Sequence, residues 1–224
     1  NTNLNFEKTL AVKADYTAAT PKITVYLRQI ATTPVINGIG SSYNSQMVRI
    51  DINPAAFDNP STPTIALLPN APITNIGADF PSYTTANYRN DLREIQLSPD
   101  ATKLAVANVY YTDKYNSEIR IYNLNNNSVD IKSQIKKVIR SFDFSPSGNY
   151  IYYISHNTSP SNANLRRIDI ANSTVIDITS STLTYPSESI STVRRGKNGN
   201  MYAAFTGQQT LAQIASPDAA TPLV

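Results

Sequence analysis

The sequence predicts an all-β protein assembled from repeated units, and three observations predict it. The first is composition: Tyr (14), Thr, Ser, Ile, Val and Asn abound, Gly is scarce at 7, and Trp and Cys are absent. A β-branched, tyrosine-rich chain punctuated by Asn, Ser and Pro favours strands joined by turns. The second is a strand–turn–strand pattern that returns 47 residues on from Ser98 to Ser145, and 51 on from Gly148 to Gly199. The third is that the strand after each turn is apolar on successive residues, as in Leu104-Ala105-Val106-Ala107 and Ile151-Tyr152-Tyr153-Ile154. Such a strand must be covered on both faces, as the inner strands of stacked blades are. Together they specify a β-propeller with about four blades visible, belonging to a larger propeller.

The clearest repeats run from Leu92 to Ala107 and from Ile139 to Ile154, with a weaker copy from Ile190 to Ala204. Ser98, Pro99 and Asp100 supply the first turn, Ser145, Pro146 and Gly148 the second, and Gly199 marks the third. Proline presets φ for the second turn position, while Asp, Ser or Gly tolerates the remaining dihedrals and caps free amides. A third strand follows in each copy, at Glu118–Tyr122, Leu165–Ile170 and Thr210–Ile214. A fourth follows twice, at Val129–Ile131 and Val175–Ile178. Four short strands in about 45–50 residues is the spacing of a propeller blade.

The first ninety residues are less regular. Arg49-Ile50-Asp51-Ile52 duplicates Arg167-Ile168-Asp169-Ile170 and fills a third-strand slot, with Thr64–Leu68 as a candidate fourth strand. Lys8–Val12 and Ile23–Leu27 are the matching inner strands. Residues 1–68 therefore read as degenerate N-terminal blades, 69–90 as an inter-blade loop, 91–137 and 138–187 as blades, and 188–224 as an incomplete last blade. The start, Asn1-Thr2-Asn3, reads as that of a mature chain or a fragment.

The net charge is +3 but the basic residues are scattered, with loose groups at Lys136, Lys137 and Arg140 and at Arg194, Arg195 and Lys197. They read as solvated surface, so no nucleic-acid partner is expected. No apolar run approaches the roughly 20 residues that span a bilayer as a helix, so membrane insertion is not expected. The absence of cysteine removes disulfides, thiolate catalysis and zinc–thiolate sites.

Catalytic constellations are thin. His156 is the single histidine, read as an exposed loop residue after the strand ending at Ile154. No Gly-x-Ser-x-Gly elbow and no glycine-rich phosphate loop is present. Asp91, Glu94, Asp100 and Asp143 lie near the repeated motif, where a carboxylate pair for glycoside chemistry would have to form. Asp100 is most simply a turn residue, and Asp143 reads as a structural ion-pair or hydrogen-bonding group. No cofactor is expected; a calcium site is the weak exception, at Asp51, Asn53, Asp58 and Asn59. Tyr83, Tyr88, Tyr110 and Tyr111, in or beside long loops, form a candidate aromatic rim for partner or glycan contacts.

The Ser98-Pro99-Asp100…Leu104-Ala105-Val106-Ala107 pattern resembles the WD40-like repeats of TolB-type propellers. Arg195–Ala204 followed by Leu211–Ala220 resembles the last-blade pattern of large surface proteins of Bacteroidota, many tied to gliding motility or type IX secretion. Ala101 stands where those turns carry glycine, and Lys197 where they carry proline. The resemblance covers roughly residues 90–220. It implies a non-catalytic binding or scaffold module of a larger cell-surface or secreted protein, with other protein domains or surface glycans as partners. The alternatives are a propeller hydrolase, lactonase-like or glycan-cleaving, and a TolB-like envelope-assembly component in the periplasm.

Overall fold

The computed structural model describes residues 5–15, 17, 22–32, 43–52, 74–75, 90–110, 116–126, 128–134, 137–157, 163–178, 191–205, 209 and 211–222. These residues hold fifteen strands and no helix, arranged in four antiparallel sheets. The fold is all-β, with the antiparallel sheets of β-propeller blades. The chain divides into two compact units, Asn1–Ala86 with Leu124–Val129, and Asn87–Asn123 with Asp130–Val224.

The first unit holds one sheet in the order β1 (Asn5–Asp15), β2 (Lys22–Thr32), β3 (Tyr43–Ile52) and β4 (Thr74–Asn75). β-Branched and aliphatic residues meet across its ladders: Val12 faces Val25, which faces Ile50, and Ile23 faces Ile52. Such cross-strand pairs are the unit of sheet stabilisation. The third position holds Arg49–Ile52. The fourth strand, Thr74–Asn75, falls inside the segment expected to be a loop, while Thr64–Leu68 lies outside the described residues.

The second unit holds three sheets, each laid out in chain order. The first is β5 (Asn90–Leu97), β6 (Lys103–Tyr110), β7 (Asn116–Asn123) and β8 (Val129–Gln134). The second is β9 (Lys137–Phe144), β10 (Tyr150–Asn157), β11 (Ala163–Asp169) and β12 (Val175–Asp177). The third has three strands, β13 (Ser191–Arg195), β14 (Met201–Phe205) and β15 (Ala212–Ile214).

Hairpin turns fix the register. Ser98 accepts from the amide of Ala101, Ser145 from Gly148, and Gly196 from Gly199. The closing residue is left-handed each time, with φ of 53° at Ala101, 72° at Gly148 and 80° at Gly199. Glycine adopts that region freely and alanine only at a cost.

The cores lie between sheets. Ala105, Ala107, Ile119 and Ile121 pack with Ile139, Phe142, Phe144, Ile151, Tyr153 and Ile168, joining the first two sheets. Tyr152, Ile154 and Leu165 pack with Val193, Met201, Ala203, Phe205, Ala212 and Ile214, joining the second and third. Alternate residues of β10 thus serve opposite interfaces, which is why Ile151–Ile154 is apolar at every position and wholly buried. β14 instead alternates, with Met201, Ala203 and Phe205 buried and Tyr202 and Ala204 partly exposed. The contrast is sharpest outward of the inner pair: Leu165 is 1% exposed, whereas Leu211, its counterpart in register, is 64% exposed.

Candidate functional site

The polar groups of the second unit gather along its innermost strands β5, β9 and β13. Each of these is an edge strand, so alternate backbone groups on its free side need partners from elsewhere. β5 and β9 shift register at matching places, beside Arg93 and Arg140, and the next residue in each is polar: Glu94 and Ser141. A bulge of this kind re-aims the side chain that follows it.

Those side chains cap the next sheet's edge. Phe142 N donates to Glu94 Oε2 at 2.8 Å, Val193 N to Ser141 Oγ at 3.3 Å, and Arg195 N to Asp143 Oδ2 at 2.9 Å. Ser117 on β7 does the same for Ile139 N at 3.1 Å. Asp143 also accepts from Phe144 N at 2.8 Å. Burial pushes the Asp143 carboxyl above the usual carboxylate range, opposed by the Arg195 and Phe144 amides and the charges of Arg195 and Arg194.

Arg194 gathers three sheets. Its guanidinium pairs with Glu94 on β5 and donates to Ser141 Oγ on β9 at 2.8 Å and to its neighbour's carbonyl, Val193 O, at 2.7 Å. Gln96 Nε2 completes the Glu94 carboxylate at 2.9 Å. Arg194 is half exposed, in keeping with its reading as surface, and its guanidinium is also held in this network. Arg195 occupies the place that Phe144 holds in β9, and its Nη1 is buried without a hydrogen-bond partner.

At the turn end of the sheets, Asp100 accepts from Ser98 Oγ at 2.6 Å and from Thr102 N at 3.1 Å and Thr102 Oγ1 at 2.8 Å. The Ser98 hydroxyl, helped by Thr102, holds its carboxyl down at about 2. A second polar group lies between the second and third sheets. There Tyr152, Arg167 and Ser147 grip the segment after β15. The Tyr152 hydroxyl donates to Pro217 O at 2.7 Å, and Arg167 donates to Ala219 O at 2.5 Å and Ala220 O at 2.8 Å. The Arg167 guanidinium also stacks on the Tyr150 ring, 4.2 Å from its centroid. Asp218 accepts from Ser147 N at 3.0 Å and Ser147 Oγ at 2.5 Å.

Of the residues nominated from sequence, Glu94 and Asp143 lie along adjacent inner strands, Glu94 paired with Arg194 and Asp143 accepting the Arg195 amide, while Asp100 stays in its turn. His156 lies on β10, opposite Val138 and Ala163, and not in a loop; the strand runs three residues further than its apolar core. Tyr110 ends β6, its side chain outside the described residues, as are Tyr83, Tyr88 and Tyr111. Asp51 lies on β3; its side chain, with Asn53, Asp58 and Asn59, is likewise outside them. Arg194 and Arg167 escaped sequence reasoning as site residues, although both stand in strands at repeat positions.

No family model matches the sequence, and no curated protein matches it. Solved structures do resemble the fold. Hydrazine synthase of Kuenenia stuttgartiensis superposes with a TM-score of 0.50 at 14% identity, over 85% of this chain and 49% of that one. TolB from Acinetobacter baumannii gives 0.38 at 15% identity, over 90% and 50%. Dipeptidyl peptidase 4 of Porphyromonas gingivalis gives 0.45 at 10% identity, over 94% and 36%. The chain spans about half the length of the first two.

Proposed function

We propose that the chain is a non-catalytic binding or scaffold module, a rigid set of propeller blades that presents variable loops to a protein or glycan partner. One observation carries this reading. The inner-strand groups that would have to do chemistry are engaged in fastening sheet to sheet: Glu94 and Asp143 each accept a backbone amide of the following sheet. A carboxylate spent on two or three fixed donors is a poor general base and a good structural acceptor. Stacked sheets joined in this way give a stiff platform, and loops on such platforms are where partners are met.

The sequence resemblance favours reading the module as part of a larger secreted or cell-surface protein of Bacteroidota, with a periplasmic, TolB-like assembly role as the alternative. The reading is tested by assaying the purified chain against ester, lactone and glycoside substrates, with and without added calcium. No turnover is expected, and Glu94→Gln and Asp143→Asn are expected to lower thermal stability alone. Turnover abolished by Asp143→Asn would replace the module with a hydrolase. Binding is read on glycan arrays and by cross-linking to envelope proteins, with Tyr83, Tyr88, Tyr110 and Tyr111 replaced by alanine; loss of binding at unchanged stability is the expected result.

A further inference from the structure

The segment Ser216–Ala220 repeats the tetrapeptide of the first hairpin turn, Ser-Pro-Asp-Ala, but with a different residue in the left-handed region. In the hairpin, Asp100 is held by its own Ser98 and Thr102, and the left-handed residue is the fourth, Ala101. In the later copy the left-handed residue is the first, Ser216, with φ 52°, while the turn-closing bond is shared: Ala219 N to Ser216 O at 2.9 Å, as Ala101 N to Ser98 O at 2.8 Å. Asp218 faces away from its own turn and onto Ser147 of another sheet. One tetrapeptide thus keeps one turn bond in two backbone settings, and the second is held by Arg167, Tyr152 and Ser147.

That contact has the make-up of a peptide site. Arg167 is 6% exposed, and it donates to main-chain carbonyls while its face is covered by Tyr150. Tyr152, wholly buried, supplies a further donor to the same strand of carbonyls, and burial pushes its hydroxyl up to about 12, so it stays a donor at neutral pH. Fixed donors converging on three carbonyls, with a serine hydroxyl and amide for an acidic side chain, recognise a turn peptide and not a particular core shape.

We propose that the pocket formed by Ser147, Tyr150, Tyr152 and Arg167 is a binding site for Ser-Pro-Asp-type turn peptides, filled in cis by Ser216–Ala220 as a detachable strap. When the strap lifts, Asp218 turns back onto Ser216 as Asp100 does onto Ser98. Ala220 stands where Thr102 adds its hydroxyl in the hairpin, which weakens the lifted form and favours the docked one. The pocket is then open to the same peptide chemistry from another source.

Hydrogen exchange of the full chain tests this, reading peptides that span the strap and those from β6 and β10. Arg167→Met is expected to speed strap exchange about tenfold or more while β6 and β10 keep their rates, because charged donors to carbonyls are lost. An isotope-labelled peptide of sequence Ala215–Thr221, at a few millimolar to match the effective concentration of a short tether, is expected to speed strap exchange in the native chain and to add nothing in Arg167→Met. Should Arg167→Met fail to fold, Tyr152→Phe removes one hydroxyl and is expected to give about a two- to tenfold change. Strap and core exchanging together in every variant would overturn the proposal, as would a native strap indifferent to the added peptide.

Discussion

Ala101 holds a backbone angle that the two matching turns assign to glycine. Replacing Ala101 with glycine is therefore expected to stabilise the chain by about 0.5–1 kcal/mol, read from the denaturant midpoint. The reverse change at Gly148 should destabilise, since its φ of 72° is one that an L side chain rarely adopts. The neighbouring Asp100 gives a pH signature. Its folded pKa is depressed to about 2 from an ordinary 3.8, so its contribution is present above pH 4 and is lost as pH falls towards 2. Asp100→Asn should flatten the stability profile across that window. Asp143 has the opposite sign: a raised folded pKa means its protonated form suits the fold better, so its term weakens as pH rises through the folded value.

At the scale of elements, the inner strands carry the testable weight. Glu94→Ala removes the acceptor of the Phe142 amide and the partner of Arg194, and is expected to cost about 1–3 kcal/mol by equilibrium unfolding. Leu165→Ala should cost about 2–5 kcal/mol, while the same change at Leu211 should stay within about 0.5 kcal/mol. The sequence made part of this legible. Ser-Pro turns and the two-faced runs Leu104–Ala107 and Ile151–Ile154 announced stacked sheets, because a strand apolar at every position has no solvent side. A two-residue strand such as Thr74–Asn75 has no periodicity to detect. Glu94 was legible as a candidate carboxylate, and Arg194 and Arg167 only as charges in strands; what they hold is set by groups some 50 or more residues away, which no local pattern encodes. The strap shows the same limit, since identical residues take two backbone settings.

For the molecule as a whole, the sheets of the second unit form a series in which each depends on its neighbours. The middle sheet is covered on both faces and is expected to exchange its amides most slowly. The third sheet, with three strands and one partly open face, should exchange faster than the middle one in the same experiment. A uniform rate across all three sheets would show a single cooperative block instead of a series.

The reach of Arg194 changes how such a series fails. Nearest-neighbour stacks unzip from an end, because each layer touches only the next. Arg194 belongs to the third sheet but pairs with Glu94 on the first, so the third sheet carries a tie that reaches past its neighbour. Loosening the third sheet therefore strips a countercharge from the first, two layers away, and a fault there is felt beyond its neighbour. Among these three sheets the salt bridge makes the third a fuse for the first.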